Sequence, residues 1–178
     1  MLRSHPPVSV FGVPTDIGAA HRGASMGPEA LRVAGLLDAI AARGVEVRDL
    51  GDLHGPRNPV GEPVEGYRHL DEVAAWNQAV FEASARELAA GRMPILLGGD
   101  HCLAIGSIAA VAAHCRATGK KLRVLWLDAH ADFNTREITP SGNIHGMPVA
   151  CLCGLGPDRL TALGGTRPAI TPSQLRQI

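Results

Sequence analysis

The chain has 178 residues, 46% of them apolar, which is enough for one globular domain around a real core and too many for a disordered segment. Lys plus Arg and Asp plus Glu number 17 each, so the net charge is zero with histidine neutral, and no basic excess favours nucleic acid or an anionic membrane. Apolar runs such as 108–113 and 124–127 fall far short of the roughly 18 to 20 residues that span a bilayer, and an aromatic content of 3% argues against stacking platforms for bases or sugars.

The opening residues, Met1 to Pro7, lead into an apolar stretch interrupted by Gly12 and Pro14, without the longer apolar region and small-residue cleavage site of a secretory signal. A cytoplasmic location is therefore expected. Residues 8–13 read as a first strand, followed by a glycine-rich loop. A helix that Pro28 opens and Gly44 closes then carries Leu31, Ala34, Leu37 and Ile40 along one face. Residues 45–50 return as a second strand. The stretch 51–66, with four glycines and three prolines, is a long loop. Asp71 is placed to cap a second long helix, with Val73, Trp76 and Val80 facing inward and Gly91 ending it before a strand over 93–97. A third helix over 102–117, stopped by Gly119, leads to a strand over 122–127. This alternation predicts an α/β fold of βα units, with apolar runs suited to a parallel sheet covered on both faces. Cys102, Cys115, Cys151 and Cys153 sit among apolar neighbours without zinc-ribbon spacing, which predicts reduced thiols.

Two strands end in unusual sequence: Gly98-Gly99-Asp100-His101 and Asp128-Ala129-His130-Ala131-Asp132. In open α/β sheets ligands bind outside the carboxyl ends of the strands. If the backbone there stays extended, Asp128, His130 and Asp132 point to one side. Taken singly, Asp128 reads as a helix cap, His130 as a loop histidine and Asp132 as a turn former. Together with His101 at the end of the neighbouring strand, they read as a cation site whose mixed oxygen and nitrogen donors suit manganese or zinc better than calcium. Gly98 and Gly99 are expected to take positive φ and bring the backbone close to a ligand, aiming His101 into the same crevice.

These segments, with Asn134-Thr135 and Ser141-Gly142-Asn143-Ile144-His145-Gly146-Met147-Pro148, resemble the ureohydrolase superfamily and, within it, the arginases. The Asp-Ala-His-x-Asp motif is shared with agmatinases and formimidoylglutamases. The Asn-Thr that follows it and the Ser-Gly-Asn-x-His-Gly block are the arginase-like part. The resemblance implies a three-layer αβα fold with a central parallel sheet, two manganese ions per complete subunit, and hydrolysis of L-arginine to L-ornithine and urea. By position, His101, Asp128 and Asp132 look like ligands of one ion and His130 and Asp128 of the other, with Asp128 bridging. Guanidinium is a poor electrophile, and two metals lower the pKa of a shared water far enough to supply hydroxide. Asp132 is expected to hold that hydroxide as well. His145 matches the family's proton shuttle, a role suited to a group that titrates near neutrality. Asn134, Thr139, Ser141 and Asn143 are expected at the α-carboxylate and α-amino end of the substrate; without the resemblance they read as turn formers.

Arginases are normally much longer, and the later Asp-x-Asp segment and the acidic residue that receives the guanidinium have no counterpart here. The expectation is that residues 1–178 form one truncated arginase-like domain, incomplete at the carboxyl end. A homotrimer or hexamer is implied by resemblance. The alternatives are another ureohydrolase, of the agmatinase or formimidoylglutamase type, and a noncatalytic fragment.

Overall fold

The computed structural model describes residues 5–19 and 21–178; the first four residues of the opening segment read above lie outside the described residues. Strand β1 (Val8–Val13) is buried at all six positions, because helices cover both its faces. Val8 and Val10 pack with Leu36, Leu37 and Ile40 on one side. Phe11 and Val13 belong to the larger cluster on the other side, with Val73, Trp76, Val80 and Ile105. Each such side chain taken out of water contributes about 1.5–3 kcal/mol, so this strand anchors both layers.

The helix expected over 28–44 is two short ones, α1 (Gly27–Val33) and α2 (Leu36–Ala41), broken where Gly35 takes φ 82°. The break rotates the apolar face. Leu31 and Ala34 are exposed, and Leu36, Leu37 and Ile40 pack inward instead. Strand β2 (Val47–Asp52) lies two residues later than expected, and it is an exposed edge strand. Helix α3 (Leu70–Ala89) buries Val73, Trp76 and Val80 as expected. It is preceded by His69 at φ 54° with no side-chain cap, and Asp71 sits in its first turn, where its charge complements the helix dipole.

Strand β3 (Met93–Gly98) pairs parallel with β1 from Val8↔Met93 to Val13↔Gly98. Helix α4 (Ala104–Ala117) follows a 3-10 turn at His101–Leu103. The strand expected over 122–127 is shorter, β4 (Val124–Trp126), and it pairs with a strand the sequence did not suggest, β5 (Leu175–Gln177). The parallel layer is therefore hydrogen-bonded in two pieces, β2-β1-β3 and β4-β5. Met93, Leu125 and Leu127 are exposed at 46%, 57% and 75%, so the expected cover on both faces holds for β1 and fails along β2, at the start of β3, and at the middle of β4 and just beyond it. Short helices α5 (Pro148–Leu152) and α6 (Asp158–Thr161) complete the core. The four cysteines are free thiols, two of them buried. Among the described residues, no helix is long and apolar enough to cross a membrane.

One polar knot sits inside this frame. Ser9, buried in β1, donates to Glu87 at 2.7 Å, and the Arg48 guanidinium reaches the same carboxylate oxygen at 2.6 Å. Burial alone pushes the Glu87 carboxyl up, but these hydrogen bonds outweigh it and hold the group below the ordinary glutamate range. A carboxyl depressed in the folded state adds stability above its unfolded pKa, about 4.3, and that stability is lost as pH falls through the lower folded value. Glu87→Gln is expected to destabilise the fold by about 1.5–3 kcal/mol at neutral pH, with the difference from wild type shrinking in acid. Denaturant melts across pH measure it, and equal stability at neutral pH would contradict the assignment.

Candidate metal centre

The close packing at the end of β3 depends on the absence of a side chain. A Cβ on Gly99 would lie 2.2 Å from the Val13 carbonyl oxygen, so only glycine lets the chain leave the sheet there. Neither Gly98 nor Gly99 has positive φ, contrary to expectation; close approach is the requirement. Asp100 is buried, and its Oδ1 accepts from the Cys102 N–H at 2.8 Å, capping the turn that carries His101.

After β4, the backbone does not stay extended. Asp128 Oδ1 accepts from the His130 N–H at 2.8 Å, a tight turn closed by the side chain, and Asp132 adopts φ 46°. The expected alternation of side chains is thus replaced by a turn, which nonetheless brings two of the three residues to His101. His101 Nδ1 lies 3.2 Å from Asp128 Oδ2 and 3.0 Å from Asp132 Oδ2, and ligand atoms of all three side chains lie within 4.8 Å of one another. His130 is outside this trio. Its side chain is 84% exposed, and its Nδ1 approaches the other Asp128 oxygen, Oδ1, at 3.4 Å. The two oxygens of Asp128 therefore face two different histidines.

The electrostatics divide the two carboxylates. The His130 backbone N–H holds Asp128 below the ordinary aspartate range. Burial pushes Asp132 above it, and the neighbouring Asp128 charge adds to the rise. Asp132 Oδ2 is buried and accepts no hydrogen bond, although His101 Nδ1 is close. Lone pairs that converge without a proton aligned between them suit a cation, and two carboxylates with an imidazole are the donor set of a borderline-to-hard divalent ion.

His145 is held beside this centre by Gly18. The Gly18 carbonyl accepts from the His145 backbone N–H at 3.2 Å and meets ring Nδ1 at 3.0 Å. A Cβ on Gly18 would lie 2.4 Å from Asp100 Oδ1, so this loop packs directly on the cap of the His101 turn. The other predicted residues line up along one loop. The Asn134 N–H donates to the Gly146 carbonyl. Thr139 Oγ1 accepts from the Gly142 N–H at 3.1 Å, and Ser141 Oγ accepts from the Asn143 N–H at 3.2 Å. Asn143 is buried, with Oδ1 accepting from Arg68 Nε at 2.9 Å. These contacts shape the loop; none of them reaches the His101, Asp128 and Asp132 side chains. Asp100, Gly18 and Trp126, whose indole stacks on the His101 ring, were missed by sequence reasoning. Asp100 lay inside a motif already singled out, whereas nothing local marks Gly18.

With this geometry in view, residues 6–174 match the model of the Arginase family. The chain belongs to the arginase family. It is 41% identical over 176 residues to the arginase of Bacillus caldovelox, which covers 95% of this chain and 56% of that one. The solved native structure of that arginase superposes with a TM-score of 0.89 at 40% identity, covering 97% of this chain and 57% of the other. The arginase of Entamoeba histolytica, solved in complex with L-ornithine, superposes at 0.83 with 35% identity, covering 97% and 57%. The chain spans about half the length of the relatives it matches.

If Asp128 is shared between cations, as its two histidine-facing oxygens suggest, Asp128→Asn is expected to strip manganese from the protein. A solvated loop aspartate would tolerate the change within about 0.5 kcal/mol of stability. Elemental analysis after gel filtration decides, and full metal content in the variant would reject the shared role.

Proposed function

We propose that the protein is a manganese-dependent arginase that hydrolyses L-arginine to L-ornithine and urea. The observation that carries this reading is the convergence of His101, Asp128 and Asp132 in a chain matched along most of its length by the Arginase family. In this reading residues 1–178 are part of one arginase-like domain of a cytoplasmic homo-oligomer, and the substrate is a small molecule, with no part for nucleic acid or membrane.

His101 Nδ1, Asp128 and Asp132 would hold one ion, and His130 with the far oxygen of Asp128 a second. A bound divalent ion supplies Lewis-acid polarisation and makes an attacking water acidic enough to react near neutral pH. The protein's own groups do the rest. In this reading Asp132 also accepts a hydrogen bond from the attacking water, with its unpartnered Oδ2 in support. The Gly18 carbonyl fixes the proton of the neutral His145 ring on Nδ1, which leaves Nε2 as the atom that takes up a proton and delivers it to the leaving amine. Asn134, Thr139, Ser141 and Asn143 are assigned to the α-carboxylate and α-amino end, directly or through water. The L-ornithine complex of the Entamoeba histolytica arginase supports an amino-acid ligand for this fold.

The test is release of urea and ornithine from L-arginine by the manganese-loaded protein, with agmatine, which lacks the α-carboxylate, as the competitor. Turnover of agmatine in preference to arginine would assign a different ureohydrolase; manganese binding with no turnover of either would assign a binding module. His145→Asn is expected to lower turnover about 10²-fold to 10⁴-fold while manganese content stays at the wild-type level. Loss of metal in that variant would make His145 a ligand and break the assignment.

A further inference from the structure

His101 is the most exposed of the three converging side chains, at 42%, and no hydrogen bond to its ring is formed among the described residues. Histidines that hold metals ordinarily donate their second ring N–H to a carboxylate, carbonyl or water, and this fixes the plane of the ring. In this protein the plane is set in another way. The imidazole lies flat on the indole of Trp126, with ring centroids 4.8 Å apart and planes inclined by 13°.

Trp126 is itself well held. It is the last residue of β4, 5% exposed, turned inward while its neighbour Leu125 turns out to solvent. Its Nε1 is buried without a hydrogen-bond partner. Phenylalanine would fill an apolar site without that unpaired N–H, so core filling alone does not account for an indole here. Two residues further on stands Asp128. One strand end thus delivers both a carboxylate of the centre and the plate against which the histidine that follows β3 lies.

We propose that Trp126 is a positioning residue of the metal centre: its indole holds the His101 ring in the plane that points Nδ1 at Asp128 and Asp132. The proposal rests on the reading of His101 as a ligand. The indole face is electron-rich, and an imidazole that donates its lone pair to a cation becomes electron-poor, so the stack strengthens when metal binds. It therefore favours the metal-bound state as well as ordering the free one.

Manganese affinity, read from the paramagnetic resonance of free Mn²⁺, is compared in the wild-type protein, Trp126→Leu, Trp126→Phe and His101→Asn. Trp126→Leu is expected to weaken binding about tenfold, and Trp126→Phe, which keeps an aromatic face, to recover most of the loss. Trp126→Leu binding as tightly as wild type would overturn the proposal. His101→Asn binding as tightly as wild type would instead overturn the ligand reading on which it rests. The chain has only two tryptophans, so in Trp76→Phe the emission reports on Trp126 alone. Manganese is expected to quench it in step with the resonance titration, whereas bound manganese with unchanged emission would overturn the stack. Should Trp126→Leu fail to fold by circular dichroism, the emission titration decides.

Discussion

The fold brings three side chains that share no aligned hydrogen bond to within 4.8 Å at the ends of two strands in separately hydrogen-bonded pieces of the parallel layer. Left to themselves, two carboxylates and an imidazole so placed would repel or seek water. The surrounding structure holds them together all the same. Gly99 lets β3 turn off against the Val13 carbonyl, Asp100 caps the turn that carries His101, and the side-chain-closed turn at Asp128 carries the other two residues back toward it. Each device is local, and each is fixed by contacts that would form whether or not a cation were present. Such a centre is preorganised: the ordering cost is met in folding and not at binding.

The opposed shifts of the two aspartates follow from the same geometry. Asp128 faces a backbone N–H and two histidines and is held in its charged form. Asp132 has lost water without gaining a hydrogen bond to Oδ2, and its carboxyl is pushed up. Backbone donation and burial thus drive the two neighbouring carboxylates in opposite directions. The Gly18 carbonyl makes a comparable choice for His145, selecting between the two ring nitrogens. Because Gly18 also packs on Asp100, the loop that holds His145 and the turn that holds His101 share one wall.

Much of this is legible in the sequence. The strand at 8–13, the inward face of α3 and the pairing of His101 with the Asp128 segment follow from periodicity and from the rule that ligands gather at strand carboxyl ends. The breaks were not legible. Gly35 splits a helix whose apolar spacing ran on across it, because a left-handed residue resets the phase in a way that spacing alone does not reveal. Three-residue β5 has no run of apolar residues to announce it, and it exists through its pairing with β4. Extended backbone through Asp132 was the natural expectation, and a hydrogen bond from His130 to Asp128 defeats it, since short polar side chains compete with the ladder for backbone partners. That substitution costs His130 its place in the trio while leaving Asp132 within reach. The stack of Trp126 on His101 joins residues 25 positions apart (126 − 101 = 25), and no local pattern encodes it.

The central claim is that His101, Asp128 and Asp132 together hold a divalent cation. Anomalous diffraction at the manganese absorption edge, from crystals of the protein grown with manganese, tests it most directly. The account predicts an anomalous peak among His101 Nδ1 and the carboxylates of Asp128 and Asp132. Crystals that contain manganese only elsewhere, with those three side chains free of it, would contradict the account.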